Sequence, residues 1–166
     1  MQSEPLPVEP ESQLAALRPL VVRTVRLVVG AGSAIAEDAA QDALVELDRA
    51  LPRLREPAAA RAFAVRIATR VAVRAARRER RFALLGLRAS APERLATVRP
   101  DDLVELKEAF DRLPPRQRAT AVLRLYVGLS EQETADALGC SVGTVKSQLH
   151  DARATLTAHL KEGSDD

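Results

Sequence analysis

Apolar residues recur along this chain at helical spacing, in runs broken by Gly, Pro and Ser, and that pattern predicts a succession of amphipathic helices. Leu14, Leu17, Val21, Val25 and Val28 predict a first helix from about Ser12 to Val29, stopped by Gly30 and Gly32. Pro19 fits that helix only within a first turn, because its ring removes a backbone donor. A second helix begins after Ser33 and carries Ala36, Ala40, Leu44, Leu47 and Leu51. A third follows Pro57, with Ala64, Ile67, Ala68, Val71 and Ala75 toward one side. From Phe82 to Pro100 the period weakens around Gly86, Pro92 and Pro100, which reads as a linker between two domains, 12–81 and 101–160. In the second domain Leu103, Leu106, Phe110 and Leu113 line one helix, and Ala119, Val122, Leu123 and Tyr126 the next, with Pro114 and Pro115 between them.

The stretch from Ser130 to Leu156 has the most definite local grammar. Ser130 with Glu133 forms a capping box, Gly139 supplies the positive φ that ends a short helix, and Ser141 caps another. In that last helix Val145, Leu149, Ala152 and Leu156 make a buried stripe. The opposite arc presents Thr144, Lys146, Ser147, His150 and Arg153, with Gly143 near its start. The pattern is that of a helix-turn-helix whose second helix is sized for a DNA major groove; the competing description is a solvated helical hairpin.

Composition supports the helical prediction. Of 166 residues, 46% are hydrophobic but only 2% aromatic, so any core is built from Leu, Val and Ala, and the expected class is all-α with two small helical domains, the second a four-helix module. Residues 1–11 carry three prolines and read as a mobile leader, and residues 161–166 as a polar tail. The lone Cys140 excludes an internal disulfide and offers no ligand set for zinc, so no metal or other cofactor is expected. No apolar run approaches the ~20 residues of a membrane span, and a cytoplasmic protein is expected. No nucleophile–base pair or phosphate-cradling glycine loop is visible, which argues against an enzyme.

The net charge is only +2, yet the basic residues are clustered. In the third helix Arg66, Arg70, Arg74, Arg77 and Arg81, with the neighbouring Arg78, form an arc, and Glu79 is the only acid in the run. A solvated face ordinarily mixes Glu with Arg at i,i+4, so the arc favours a phosphate backbone as partner. On the second helix Asp38, Gln41 and Asp42 form a compact acid and amide face that is either solvated or an acceptor for a partner's Arg and Lys.

These residues resemble a bacterial RNA polymerase sigma factor of the extracytoplasmic-function group, the smallest members of the sigma-70 family. The most specific portion is FDRLPPRQRATAVLRLYVGLSEQETADALGCSVGTVKSQLHDAR, similar to region four, the reader of the minus-thirty-five element. AEDAAQDAL resembles the part of region two that grips the clamp helices of the polymerase largest subunit, and ARAFAVRIATRVAVRAARRERR the part that melts and reads the minus-ten element. The resemblance implies that Asp38, Gln41 and Asp42 bind core RNA polymerase, and that Phe63, the arginine arc, Thr144, Lys146, Ser147, Gln148, His150 and Arg153 face promoter DNA. The beta flap of the polymerase and an anti-sigma factor are further implied partners.

The chain also departs from the family pattern. Phe63 stands where Trp is common, Val65 where Tyr is, Arg70 where Asn is, and Arg74 where Asp is, so side chains that stack on unpaired bases are scarce. Gln148 and Asp151 occupy positions where Arg is frequent. Two other functions are compatible with the residues: a helix-turn-helix regulator acting without polymerase, and a sigma-like interaction protein that does not initiate transcription.

Overall fold

A computed structural model describes residues 9–30, 33–86 and 103–162, and among these the chain forms seven α-helices and no strand. They are α1 (Pro10–Val29), α2 (Ala36–Ala50), α3 (Ala60–Leu84), α4 (Leu103–Asp111), α5 (Pro115–Ala121), α6 (Glu131–Leu138) and α7 (Val142–Glu162). Short 3₁₀ turns at Leu51–Arg53 and Pro57–Ala59 join α2 to α3. Most of the expected leader, the linker's Pro92 and Pro100, and residues 163–166 lie outside the described residues.

α1 begins earlier than the apolar period suggests, because Pro10 at its first position has a pre-set φ and lacks an N–H that would be unpaired there anyway. Pro19 lies inside this helix and outside its first turn, contrary to expectation. It is tolerated because Pro19 and Ala15 are both exposed, so the carbonyl that loses its donor lies on the side open to water. Gly30 ends α1 at φ 106°.

The N-terminal domain packs α1 against α2 and α3, and α2 against α3. Ala60, Ala64, Ala68 and Ala72 form a buried i,i+4 row along α3, and Ala36, Ala39, Ala40 and Ala43 a second small-residue face on α2. Such rows let helix axes approach closely, and Leu17, Val21, Val25 and Val28 of α1 fill the space between them. α3 runs to Leu84, past Phe82, where the period weakens.

In the C-terminal domain α5 and α6 both pack on α7, and Phe110, Leu113, Leu123 and Val145 are buried. One expectation needs correction: the helix begun at Pro115 does not continue as a regular α-helix but passes into a π-helical segment, Val122–Val127. It closes on Leu123, whose carbonyl accepts from both Gly128 and Leu129, with Gly128 in the left-handed region at φ 84°. Ala119, Val122 and Leu123 are still buried, and Tyr126 only partly.

The sequence also conceals that the two domains share one apolar core, in which α1 residues continue into Phe110, Leu113, Ala119, Val122 and Leu123. α1 packs against α5, and α3 against α6. Arg118 of α5 crosses the junction, its Nη2 donating to the Val29 carbonyl at 2.9 Å and its Nε to that of Val28 at 3.3 Å.

Leu47 is fully buried in the N-terminal half of this core. Leu47→Ala is expected to cost about 2–5 kcal/mol, read as a lower urea midpoint with an unchanged slope when helicity is followed by circular dichroism.

Candidate polymerase-binding and DNA-binding surfaces

The exposed face of α2 is built by its buried alanines, which turn the intervening polar residues outward. Ser33 Oγ accepts from the Ile35 amide at 3.3 Å before the helix begins, and Glu37 and Asp38 occupy the first turn, where negative charge favours the helix dipole. Glu37 is engaged by Arg26 at 2.6 Å. Asp38, Gln41 and Asp42 are exposed side by side, as their spacing predicts.

On α3, Arg66, Arg70, Arg74, Arg77, Arg78 and Arg81 are all exposed, while Val65, Ile67, Ala68 and Val71 face inward. The arc is not wholly without counter-charge, because the acid comes from another helix: Arg70 pairs with Glu46 of α2. Arg77 Nη2 donates to the Leu138 carbonyl at the end of α6, 2.5 Å away. Phe63 is half-buried, with the Arg66 guanidinium 5.6 Å from its ring centre, and Arg78 lies at the same distance from Phe82. Five of these arginines, with Phe82 and Leu85, line an open groove closed on its far side by Ala137 of α6.

The helix-turn-helix forms through the predicted caps. Ser130 Oγ accepts from the Glu133 amide at 3.1 Å, while the Glu133 carboxylate accepts from the Ser130 amide at 2.7 Å. These bonds hold the Glu133 carboxyl below the usual carboxylate range, and the charge of Arg66 adds to the effect. Gly139 takes φ 64°, and Ser141 Oγ accepts from the Thr144 amide at 3.1 Å to start α7.

On α7 Val145, Leu149 and Ala152 are buried, and Lys146, Ser147, His150 and Arg153 are exposed. Gln148 is half-buried. Thr144 is drawn into the cap, its hydroxyl 2.9 Å from that of Ser141. The Lys146 ammonium is 3.6 Å from Glu131 of α6. Reading the spacing alone misses both Glu131 and Glu46, since each meets its arginine or lysine from a different helix. It also misses Arg118, although an arginine four residues before Val122 on an apolar stripe is a legible signal.

Comparison with known proteins agrees with this arrangement of surfaces. Residues 14–82 match the Sigma-70 region 2 family, and residues 103–156 match the Sigma-70, region 4 family. The chain is 35% identical over 164 residues to the ECF RNA polymerase sigma factor SigD of Mycobacterium tuberculosis, covering 92% of this chain and 77% of that protein. This chain belongs to the sigma-70 family, in its extracytoplasmic-function group.

The sigma factor is also 46% identical over 65 residues to the RNA polymerase sigma-E factor of Streptomyces coelicolor, a match spanning 39% of this chain and 37% of that protein. Its fold is that of the sigma factor RpoE, solved in complex with the anti-sigma factor NepR from Bartonella quintana. The TM-score is 0.63 at 23% identity, covering 91% of this chain and 96% of that chain. CnrH, solved in complex with the cytosolic domain of CnrY, is similar with a TM-score of 0.55 at 26% identity, covering 93% and 91% of the two chains. Among the described residues of this sigma factor, no helix is long and apolar enough to cross a membrane.

Because the Glu133 pKa is depressed by folding, the stabilisation that it brings is present above its unfolded value and is lost as pH falls through the folded one. The Ser130 amide resonance should therefore titrate with a midpoint below the ordinary carboxylate range, and Glu133→Gln should flatten that titration in two-dimensional NMR spectra.

Proposed function

We propose that this sigma factor grips core RNA polymerase through Asp38, Gln41 and Asp42 of α2, lays the α3 arginine arc along promoter DNA at the minus-ten element, and seats α7 in the major groove of the minus-thirty-five element. Binding core polymerase and directing transcription initiation is the function of its family. The observation that supports this assignment of faces is their chemical separation. One exposed surface is acid and amide, a second almost purely arginine, and a third Lys, Ser, His and Arg, and each lies opposite the apolar stripe of its own helix.

On this proposal the arginines act mainly on phosphates and set orientation, with Phe63 at the edge of the arc beside Arg66. Sequence is read by α7, where Lys146 and Ser147 stand early in the helix, the part that approaches base edges. Gln148, His150 and Arg153 follow along the groove, and Thr144 serves mainly the helix cap that aims them. The division of labour falls at residues 12–81 and 101–160, with the C-terminal domain meeting the beta flap and the N-terminal domain the clamp helices. The polymerase supplies the chemistry and the sigma factor supplies binding free energy, in the cytoplasm where the polymerase works. An anti-sigma factor is a partner proposed from family membership.

The decisive experiment is run-off transcription from genomic fragments with purified core polymerase, with and without this protein. Asp38→Arg combined with Gln41→Arg should abolish co-purification with core polymerase and all added transcripts while leaving the circular dichroism spectrum unchanged, since both side chains are exposed. Undiminished co-purification would remove α2 from the proposal.

Lys146→Ala should cost about 1–3 kcal/mol of binding at the preferred promoter and relax preference at one or two neighbouring positions. Promoter selection from a randomised upstream element, performed with the holoenzyme, checks this; identical selected sequences for both proteins would assign α7 to phosphate contacts alone.

A further inference from the structure

Arg118 is the most fully engaged cation in the described part of the molecule, and none of the proposed polymerase or DNA contacts uses it. Its side chain is only 12% exposed and projects from the C-terminal domain into the last turn of α1. The carbonyls at that end of a helix have no intrahelical donor and carry the negative end of its dipole, which suits a planar guanidinium with several donors. Arg118 takes two of them, Val28 and Val29.

Its surroundings fit it closely. A Cβ added to Gly30, which adopts φ 106°, would lie 3.0–3.1 Å from the guanidinium. Asp111 of α4 is 3.9 Å away, and the charge of Glu79 on α3 also favours the cation, while Ser33 holds the Glu79 carboxylate at 2.8 Å. One side chain therefore ties α5 to α1, with electrostatic support from α3 and α4.

The same closure has a consequence at the arginine arc. Bringing α6 against α3 sets Arg77 on the Leu138 carbonyl, and its Nη2 lies 3.5 Å from the position of a Cβ on Gly139. Arg77 cannot hold that carbonyl and reach along a phosphate backbone in the same geometry, and α6 walls the groove that the other arginines line.

We propose that Arg118 is an interdomain latch that keeps the free sigma factor closed with its arginine arc covered by α6, and that engagement with core polymerase releases it. The proposal deepens the function given above and rests on it for the identity of the releasing partner. A latched protein binds through its open fraction, so the apparent affinity for polymerase is reduced by that fraction, and weakening the latch raises it.

The test uses the full chain with Cys140→Ser and spin labels attached at Asp48→Cys and Thr157→Cys, two exposed positions, one in each domain. Without polymerase the parent should give one narrow distance distribution, and Arg118→Ala a broader and longer one. Gly30→Ala, which crowds the guanidinium from the other domain, should move the distances in the same direction. Addition of core polymerase should lengthen the distance in the parent, and the Arg118→Ala protein should associate about tenfold faster. An unchanged narrow distribution in Arg118→Ala, with normal helicity, would overturn the latch. If that variant loses helicity, Arg118→Lys decides instead, because it keeps the stem and charge but not the two-pronged donor. The distances in the absence of polymerase judge the latch by themselves. Failure of the parent to bind core polymerase would overturn the polymerase assignment, and with it polymerase as the releasing partner.

Discussion

Close approach of helices along rows of alanine is the constraint from which this structure follows. With few aromatic residues, the protein cannot fill wide gaps between helices, so α2 and α3 present Ala faces and α1 fits Leu and Val between them. Small side chains keep the axes near one another and leave little tolerance for a shift, since interiors are packed as densely as organic crystals. That fit fixes the rotation of each helix about its axis. The polar residues on the opposite sides are thereby sorted, and the exposed acid face and arginine arc are consequences of the packing as much as of their own charge.

Much of this was legible because the apolar period and the caps are local. The capping box at Ser130 and Glu133, the left-handed Gly139 and the cap at Ser141 appear as the residues predict, because each needs only neighbours within a few positions. The placement of Asp38, Gln41 and Asp42 on one exposed face and of the arginines on another also follows from spacing alone. Their functional roles rest on family membership and await the mutants, and the residue substitutions at Phe63, Val65, Arg70 and Arg74 make the minus-ten contacts the part where this chain departs furthest from its family's pattern.

What was not legible involves partners distant in sequence or backbone states with no strong residue signal. Pro19 argued against a helix interior, yet tertiary burial of Leu17 and Val21 on the other side of α1 outweighs the one lost bond. The π-helical segment after Ala121 arises in an ordinary run of Val, Leu, Arg and Tyr, and only the convergence of Gly128 and Leu129 on the Leu123 carbonyl marks it. The shared core of the two domains depends on Arg118 meeting Val28 and Val29 about 90 positions away in the chain, a separation that no periodic pattern encodes.

The ion pair between Lys146 and Glu131 bears on fidelity. Exposed pairs of this kind contribute roughly 0–1 kcal/mol, so the lysine is readily given up. Still, it has somewhere to return to. Facing a guanine, Lys146 exchanges a carboxylate for base acceptors; facing any other base, it keeps Glu131 and its charge stays neutralised within the protein. Because both alternatives are charge-assisted contacts of the same cation, added salt weakens them together. Overall attachment to DNA then falls steeply with ionic strength, while the preference of this one side chain among bases falls much less.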